Sequence, residues 1–172
     1  VMWAQGRMEL GARALGARSI VARANSIAAR DDLHLRLKRR VWFQPFCPTM
    51  LLSEAPALLA DYRGERDNNL HMTMGFMTTE QGRAALAGAI GPDGSCRPQM
   101  VPENTAEPWY RMLERVRQLT GTGAVINTSL NMHGKPMSDD VPGIIEAWVD
   151  SGVQHLALGS ALLTKAPRTA SP

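Results

Sequence analysis

The clearest hydrophobic pattern in the chain lies at residues 107–120, where apolar side chains recur every three or four positions. That spacing is typical of an amphipathic helix with one buried face. The apolar stripe consists of Trp109, Met112, Leu113, Val116 and Leu119. Because glycine disfavours helix continuation, Gly121 and Gly123 predict that the helix ends there.

The remaining pattern alternates short apolar runs with helical spacing. Strands are predicted at residues 2–4, 20–22, 49–52, 71–77, 96–101, 124–127, 155–158 and 161–163. Further helices are predicted from Asp31 onwards, with Leu33, Leu37 and Val41 on one face, and at 54–62, 79–89 and 141–150. Strands that alternate with helices indicate an α/β domain. Neither a repeat nor a low-complexity linker divides the chain, so we expect a single domain.

The regular pattern is lost between the first two predicted strands. Gly6, Gly11 and Gly16 recur five residues apart, and this density of glycine disfavours a regular helix. We therefore predict a loop with a short helical turn, whose backbone can approach a ligand closely. Arg13 and Arg18 lie on this loop, where their planar guanidinium groups could bind phosphate or carboxylate oxygens.

Charge adds a second feature to the N-terminal region. The net charge of the chain is only +3, but basic residues far outnumber acidic ones in the first 40 positions. This local excess favours an anionic partner: a phosphate-bearing small molecule, a nucleic acid or an acidic protein face. Lys38 is a compact charge of the kind that binds phosphate, and Arg97 follows the predicted turn at 91–94. The alternative for each of these cations is a solvated surface charge.

A cluster of polar side chains follows the predicted strand at 124–127. Open α/β sheets build ligand sites at such strand ends. Ser129 and Asn131 are the candidates here, and the alternative is that they only cap a helix or close an Asx-turn. His133 is close enough in sequence to touch a ligand, although a solvent-exposed turn histidine is the commoner case.

Cysteine content and hydropathy limit the cellular context. The two cysteines provide neither a disulfide framework nor a metal-binding spacing, and Cys47 is expected to be a small buried hydrophobe. A reduced, cytoplasmic compartment is therefore expected. No apolar run approaches the roughly 18 residues of a membrane span, and no signal peptide is recognisable. Since the chain starts at Val1 without an initiator Met, we expect a fragment of a longer protein.

Five segments of the chain, in the same order as in the family, resemble motifs of the O-carbamoyltransferases of the nodulation and antibiotic-tailoring type. The motifs GRMEFGPRALGNRSI, VKxREWFRPFAP, DGTARVQ, NTSFNxxGEP and LVIGxYLLxK are matched by residues 6–20, 37–48, 93–99, 127–136 and 156–165. The resemblance is to the C-terminal, YrdC-like domain. It implies an α/β fold with an open, twisted, mixed sheet and flanking helices over residues 1–165. Independently of the resemblance, the terminal residues 166–172 are expected to form a flexible tail.

The resemblance also implies a function. Such a domain binds ATP, accompanied by Mg²⁺, and carbamoyl phosphate, and forms carbamoyl-adenylate with release of pyrophosphate and phosphate. An N-terminal transferase domain, absent from this chain, then moves the carbamoyl group to an acceptor hydroxyl. On matching positions, the residues that bind ATP and carbamoyl phosphate are Arg13, Arg18, Lys38, Arg97, Ser129 and Asn131. Lys38, Arg97 and Ser129 are the catalytic candidates among them, and no residue is assigned to a metal.

One departure from the family motifs affects the charge of the predicted site. Gln44 stands where the motif has Arg, so one expected cation is missing. The alternative function is a non-catalytic module of the same fold that binds a nucleotide or RNA, or that docks onto a transferase. Nucleic acid is the less expected partner, no membrane association is expected, and the sequence leaves open whether the chain forms a homodimer.

Overall fold

A computed structural model describes residues 1–39, 41, 43–105, 107–132 and 134–166. Its strands are β1 (Met2–Ala4), β2 (Arg18–Arg23), β3 (Cys47–Leu51), β4 (Phe76–Met77), β5 (Ser95–Cys96), β6 (Gln99–Val101), β7 (Ala124–Ser129), β8 (His155–Leu158) and β9 (Ala161–Thr164). Seven of them form one sheet in the order β6-β3-β7-β2-β1-β8-β9, and β4 pairs with β5 separately. His133 and most of the predicted tail lie outside the described residues.

The large sheet is mixed. β3 runs parallel to β6 and β1 runs parallel to β8, while the other neighbours are antiparallel. Its helices are α1 (Ile27–Asp32), α2 (Ala55–Leu58), α3 (Glu80–Ala85), α4 (Glu107–Thr120) and α5 (Val141–Asp150). The chain is thus an open mixed α/β sheet with flanking helices, as predicted, and α4 and α5 have the predicted bounds.

Helices cover both faces of the sheet because neighbouring strand residues point to opposite sides. On one face, Ile20 and Ile126 pack in a cluster with Leu33, Leu37 and Ile144 from the helical segments. On the other face, Val21 and Val125 pack with Trp109 and Leu113 of α4. Among the described residues, no helix is both long and apolar enough to cross a bilayer.

The helix predicted from Asp31 begins four residues earlier than expected, so this prediction was wrong in its start. The N-cap is Ser26, whose Oγ accepts a hydrogen bond from the Ala29 N–H at 3.1 Å, and α1 starts at Ile27. A hydroxyl that satisfies a free amide at the first turn outweighs the preference for acidic residues there. α1 continues into a π-helical segment, Leu33–Lys38, which ends before Val41 and leaves that side chain exposed.

The strand predicted at 96–101 is divided between two sheets. Ser95–Cys96 pairs with Phe76–Met77, whereas Gln99–Val101 pairs with β3. Pro98 lies between the two pieces, and a residue without an N–H cannot continue a ladder of hydrogen bonds. The division sends Arg97 out of the sheet at the point where the strands part.

Candidate functional site

The glycine-rich segment between β1 and β2 is an irregular loop that folds around a carboxylate. Glu9 accepts hydrogen bonds from the N–H groups of Leu15 and Ala17, both at 2.7 Å, and from Arg18 at 3.0 Å. Gly16, with φ of +111°, brings the loop against the ring of Trp109 in α4. The predicted helical turn is absent from residues 7–17, all of which the structure describes.

Arg18 lies at the base of this loop and is buried. Its guanidinium donates to the carbonyls of Gln5, Gly6 and Ala17 at 2.9–3.2 Å, and to Asp139 O at 3.1 Å. These contacts join the loop to the segment before α5. Arg18 does not line the polar cavity described next, and its predicted contact with phosphate stays a prediction.

A polar cavity of about 130 Å³ lies where β7 ends, between the glycine-rich loop and the residues that precede β3. Three of the six predicted site residues line it: Arg13, Arg97 and Ser129. Gln44 and Cys47 line it as well. The structure therefore brings together side chains from four separate segments of the chain, as the sequence-based hypothesis of one convergent site requires.

The positive charges of the two cavity arginines are not neutralised by described acidic side chains. Arg13 is exposed and Arg97 is half buried. Nη2 of Arg97 donates to Cys47 Sγ at 3.3 Å. Within the part of the chain that the structure describes, neither guanidinium pairs with a carboxylate. Two guanidinium groups on one cavity without acidic partners make it suited to an anion.

Lys38 lies behind the cavity rather than in its wall. Its side chain is buried, and the ammonium donates to Ser129 O at 2.5 Å, to Asn131 Oδ1 at 2.5 Å and to Asn131 O at 3.1 Å. Ser129 Oγ in turn donates to Asn131 Oδ1 at 2.7 Å. Three predicted residues thus form one cluster that reaches the cavity through Ser129.

Sequence reasoning missed a buried polar network beneath the glycine-rich loop. Asn127 Nδ2 donates to Ala14 O and to Thr49 Oγ1, both at 2.9 Å. Thr49 Oγ1 donates to Gln99 Oε1 at 2.9 Å, and Gln99 Nε2 donates to Leu15 O at 2.9 Å. The available sequence signal was a polar residue within or at the end of an apolar run: Thr49 in β3, Gln99 at the start of β6, and Asn127 as the first of three polar residues that end β7.

A larger cavity, of about 570 Å³, lies on the α4 side of the sheet and has a different character. Its lining is mainly apolar, with residues such as Trp3, Val21, Met112 and Val125, and among the described lining residues Arg23 alone has a charged side chain. None of the six predicted site residues lines it. The charge and hydrogen-bonding groups needed for an anion are therefore concentrated in the smaller cavity.

The two cysteines are expected to differ in reactivity. Burial raises the pKa of the Cys96 thiol to about 12, so this side chain stays protonated and unreactive at ordinary pH. Cys47 is only half buried and lines the cavity, contrary to the expectation of a buried hydrophobe. Treatment of the folded chain with iodoacetamide at about pH 8 should alkylate Cys47 and spare Cys96, as measured by peptide mass spectrometry.

The matched control for this labelling is Cys47→Ser, which should leave the folded chain unlabelled. Both cysteines should react once the wild-type chain is unfolded in urea. Alkylation of Cys96 in the folded chain at a rate similar to that of Cys47 would contradict the difference in burial.

Comparisons with known proteins agree with the motif resemblance. The family profile described as carbamoyltransferase C-terminus matches residues 1–165. The chain is 35% identical to the uncharacterized protein MJ1058 of Methanocaldococcus jannaschii over 161 residues, which are 94% of this chain and 26% of that protein. It is 31% identical to the nodulation protein NolNO of Sinorhizobium fredii over 170 residues, which are 99% of this chain and 25% of that protein.

A further similar protein is the nodulation protein U of Rhizobium tropici, at 32% identity over 165 residues, which are 96% of this chain and 27% of that protein. The chain therefore spans about a quarter of the length of these relatives. Because the profile match extends over the nine strands and five helices found in the described residues, it covers the sheet, its helices and the cavity. The chain belongs to the family of carbamoyltransferase C-termini.

Proposed function

We propose that this chain activates the carbamoyl group in a carbamoyltransferase: it binds ATP and carbamoyl phosphate and forms carbamoyl-adenylate. The observation that carries the proposal is the polar cavity at the end of β7, where Arg13 and Arg97 meet Ser129. Carbamoyl phosphate and the triphosphate of ATP are both multiply charged anions. Fixed guanidinium groups bind such oxygens through charge-assisted hydrogen bonds.

The size of the cavity indicates which parts of the two ligands it can hold. At about 130 Å³, it is smaller than the roughly 300–1,000 Å³ of typical small-molecule sites. A carbamoyl phosphate or a terminal phosphate group matches this volume, whereas a whole nucleotide does not. In the proposal, the nucleoside of ATP lies outside the cavity and only phosphate groups enter.

The proposed reaction balances with one water molecule: carbamoyl phosphate, ATP and water give carbamoyl-adenylate, pyrophosphate and phosphate. In this balance, water releases phosphate from carbamoyl phosphate, and the carbamate oxygen then attacks the α-phosphate of ATP and displaces pyrophosphate. Both leaving groups are anions, and fixed cations that stabilise the developing charge lower the barrier. Arg13 and Arg97 have this role in the proposal. Ser129 directs its hydroxyl proton to Asn131, so the oxygen retains a lone pair for the amino group of the carbamoyl donor.

Lys38 acts differently in this proposal. Its ammonium holds Ser129 and Asn131 in place instead of reaching into the cavity, so it shapes the site from behind. The described residues contain no group of three or more His, Cys, Asp or Glu side chains that could bind a metal ion such as Mg²⁺. We propose that Mg²⁺ enters bound to the phosphates of ATP, as is usual for nucleotide sites.

The test is pyrophosphate release. Incubation of the chain with ATP, Mg²⁺ and carbamoyl phosphate should produce pyrophosphate, and omission of carbamoyl phosphate should abolish it. No pyrophosphate, together with no binding of either substrate in calorimetry, would overturn the proposal.

The non-catalytic alternatives make different predictions. A module that only docks onto a transferase is expected to pair its cavity cations with acids, and the described residues contain no such pair for Arg13 or Arg97. RNA binding that falls steeply with salt, without ATP binding, would instead favour a nucleic-acid module. Because the chain spans about a quarter of its relatives, we propose that another domain of the full-length protein transfers the carbamoyl group to the acceptor hydroxyl.

Restoration of the missing cation is expected to strengthen anion binding. Gln44 is exposed and lines the cavity with both arginines. A third guanidinium at this position, in Gln44→Arg, should raise the affinity for carbamoyl phosphate about tenfold, because a hydrogen bond to a charged group contributes about 1.5 kcal/mol or more. The measurement is the dissociation constant by calorimetry.

The control is Gln118→Arg, which adds the same charge on the exposed surface of α4, away from the cavity. It should change the affinity by less than about twofold, because charges in solvent are screened over about 10 Å. Equal effects of the two substitutions would show that net charge, rather than the cavity, determines anion binding.

A further inference from the structure

The backbone of the glycine-rich loop is held on two sides by side chains, one from the loop itself and the others from the sheet. Glu9 accepts hydrogen bonds from three backbone N–H groups on one side of the loop, those of Leu15, Ala17 and Arg18. A carboxylate that accepts several backbone N–H groups fixes their relative directions, because charge-assisted hydrogen bonds are short and directional. The loop therefore closes around its own acidic residue.

The opposite side of the same loop is held by the sheet. Asn127 donates to the carbonyl of Ala14, and Gln99 donates to the carbonyl of Leu15. Thr49 lies between them: its hydroxyl accepts from Asn127 Nδ2 and donates to Gln99 Oε1. One hydroxyl thus orients both amides, so that each directs its N–H at the loop.

This network is deeply buried and rigidly mounted. Thr49 is 0%, Asn127 2% and Gln99 5% exposed, and they belong to the adjacent strands β3, β7 and β6. Buried polar groups need partners, so the amide orientations are strongly determined. Asn127 also lines the cavity, whereas Thr49, Gln99 and Glu9 do not. These last three therefore act on a bound ligand through the residues they contact: the loop and, for Thr49 and Gln99, also Asn127.

We propose that Glu9, Thr49 and Gln99 are positioning residues that hold the loop so that Arg13 faces the cavity. Arg13 directly precedes Ala14, the first residue held by the network. Its side chain is exposed and loses conformational freedom when it binds a ligand, so a loop that is already in place lowers the cost of binding. This inference rests on the proposed function, in which the cavity binds carbamoyl phosphate.

The test is a double-mutant cycle between Thr49→Val and Arg13→Ala, with the affinity for carbamoyl phosphate as the measurement. Valine keeps the shape of threonine and removes the hydroxyl that links the two amides. We expect Thr49→Val to weaken binding about tenfold in the wild-type background and to have no further effect when Arg13 is already alanine. Additive effects would mean that Thr49 does not act through Arg13, and would overturn the inference.

Thr78→Val is the matched control. Thr78 is also buried, and its hydroxyl donates to the carbonyl of Gly94 at 2.6 Å, away from the glycine-rich loop. Any effect it has on affinity should be additive with Arg13→Ala. Non-additivity of the same size for Thr78→Val would show that a general loss of stability, rather than loop positioning, explains the coupling.

Amide hydrogen exchange tests the loop without any ligand. In Thr49→Val, the amides of Leu15 and Ala17 should exchange at least tenfold faster, while that of Leu113 in the core of α4 stays unchanged. Gln99→Met, which removes the donor to Leu15 O, should have the same effect and serves if Thr49→Val does not fold. Unchanged exchange at Leu15 and Ala17 in the folded variant would overturn the inference.

The two measurements separate the two ideas. If the wild-type chain binds neither carbamoyl phosphate nor ATP, the proposed function fails, yet hydrogen exchange still decides whether the network holds the loop. If the wild-type chain binds carbamoyl phosphate and the double-mutant cycle is additive, the proposed function stands and the positioning role fails.

Discussion

Replacement of Lys38 by methionine is expected to lower the free energy of unfolding by about 3–4 kcal/mol and to reduce pyrophosphate release at least a hundredfold. Lys38 is 2% exposed, and its ammonium donates to four oxygens of Ser129 and Asn131. Without it, Asn131 O loses the ammonium donor, while Ser129 O still accepts from the Asn131 N–H and Asn131 Oδ1 from Ser129 Oγ. Each hydrogen bond from a charged donor that is lost costs about 1.5–3 kcal/mol. Urea denaturation measures the stability, and a pyrophosphate assay measures the activity.

The loss of activity has a structural reason beyond stability. Ser129 lines the cavity, and Lys38 determines where its carbonyl and the side chain of Asn131 lie. Methionine fills a similar volume but donates no hydrogen bond, so the turn after β7 is free to shift. We therefore expect reduced activity under conditions in which Lys38→Met is still folded.

Lys135→Met is the matched control. Lys135 is exposed, and its Nζ lies 3.5 Å from Glu146 Oε1 in a surface ion pair. Such pairs contribute about 0–1 kcal/mol, so this substitution should change stability by less than about 1 kcal/mol and leave activity intact. If the two methionine variants unfold at the same urea concentration, the contacts of Lys38 contribute no more than a surface pair does.

Alanine at Gly16 is the second substitution with a large expected effect, a loss of about 3 kcal/mol or more of stability. Gly16 has a φ of +111°, and a Cβ there would lie 2.6 Å from ring atoms of Trp109. Both the backbone and the contact oppose any side chain. Trp109 is itself packed with Leu113 and Val125, so the ring cannot move without disturbing the core on that face of the sheet.

Gly11→Ala separates the two causes. Gly11 has a similar φ of +115°, but a Cβ at this position would meet nothing within 4 Å. Backbone strain alone should cost about 1–2 kcal/mol, which leaves the remaining loss in Gly16→Ala to the contact with Trp109. Urea denaturation of both variants measures the difference, and equal losses would assign the whole effect to the backbone.

Local patterns predicted the helices that carry a full apolar stripe. α4 and α5 have the bounds that periodicity and flanking residues indicate, because many residues of each helix contribute to the pattern. Short elements were harder to predict. Of the strand expected at 71–77, only Phe76–Met77 forms a strand. A strand needs a hydrogen-bonding partner, and the partner Ser95–Cys96 lies beside these two residues alone.

The candidate site also has one part that was predictable from the sequence and one part that was not. That Arg13, Arg97 and Ser129 meet was predictable from the motifs and from the position of polar residues at the end of a strand. That Thr49, Gln99 and Asn127 form a network was not predictable, because the polar residues of three separate strands do not show in the sequence which of them are neighbours. The register of the strands determines these contacts: Thr49 lies beside Gln99 in the parallel pair of β3 and β6.

The sequence by itself determined the family, the α/β class, the long helices and the candidate residues, since these depend on local periodicity and on motif order. Only the tertiary structure decided what each cation contacts. Arg18 reaches a carbonyl 121 residues away, and Lys38 reaches one 91 residues away. Such partners are chosen by the folded chain, because a buried cation takes whichever carbonyl groups surround it and local sequence does not specify them.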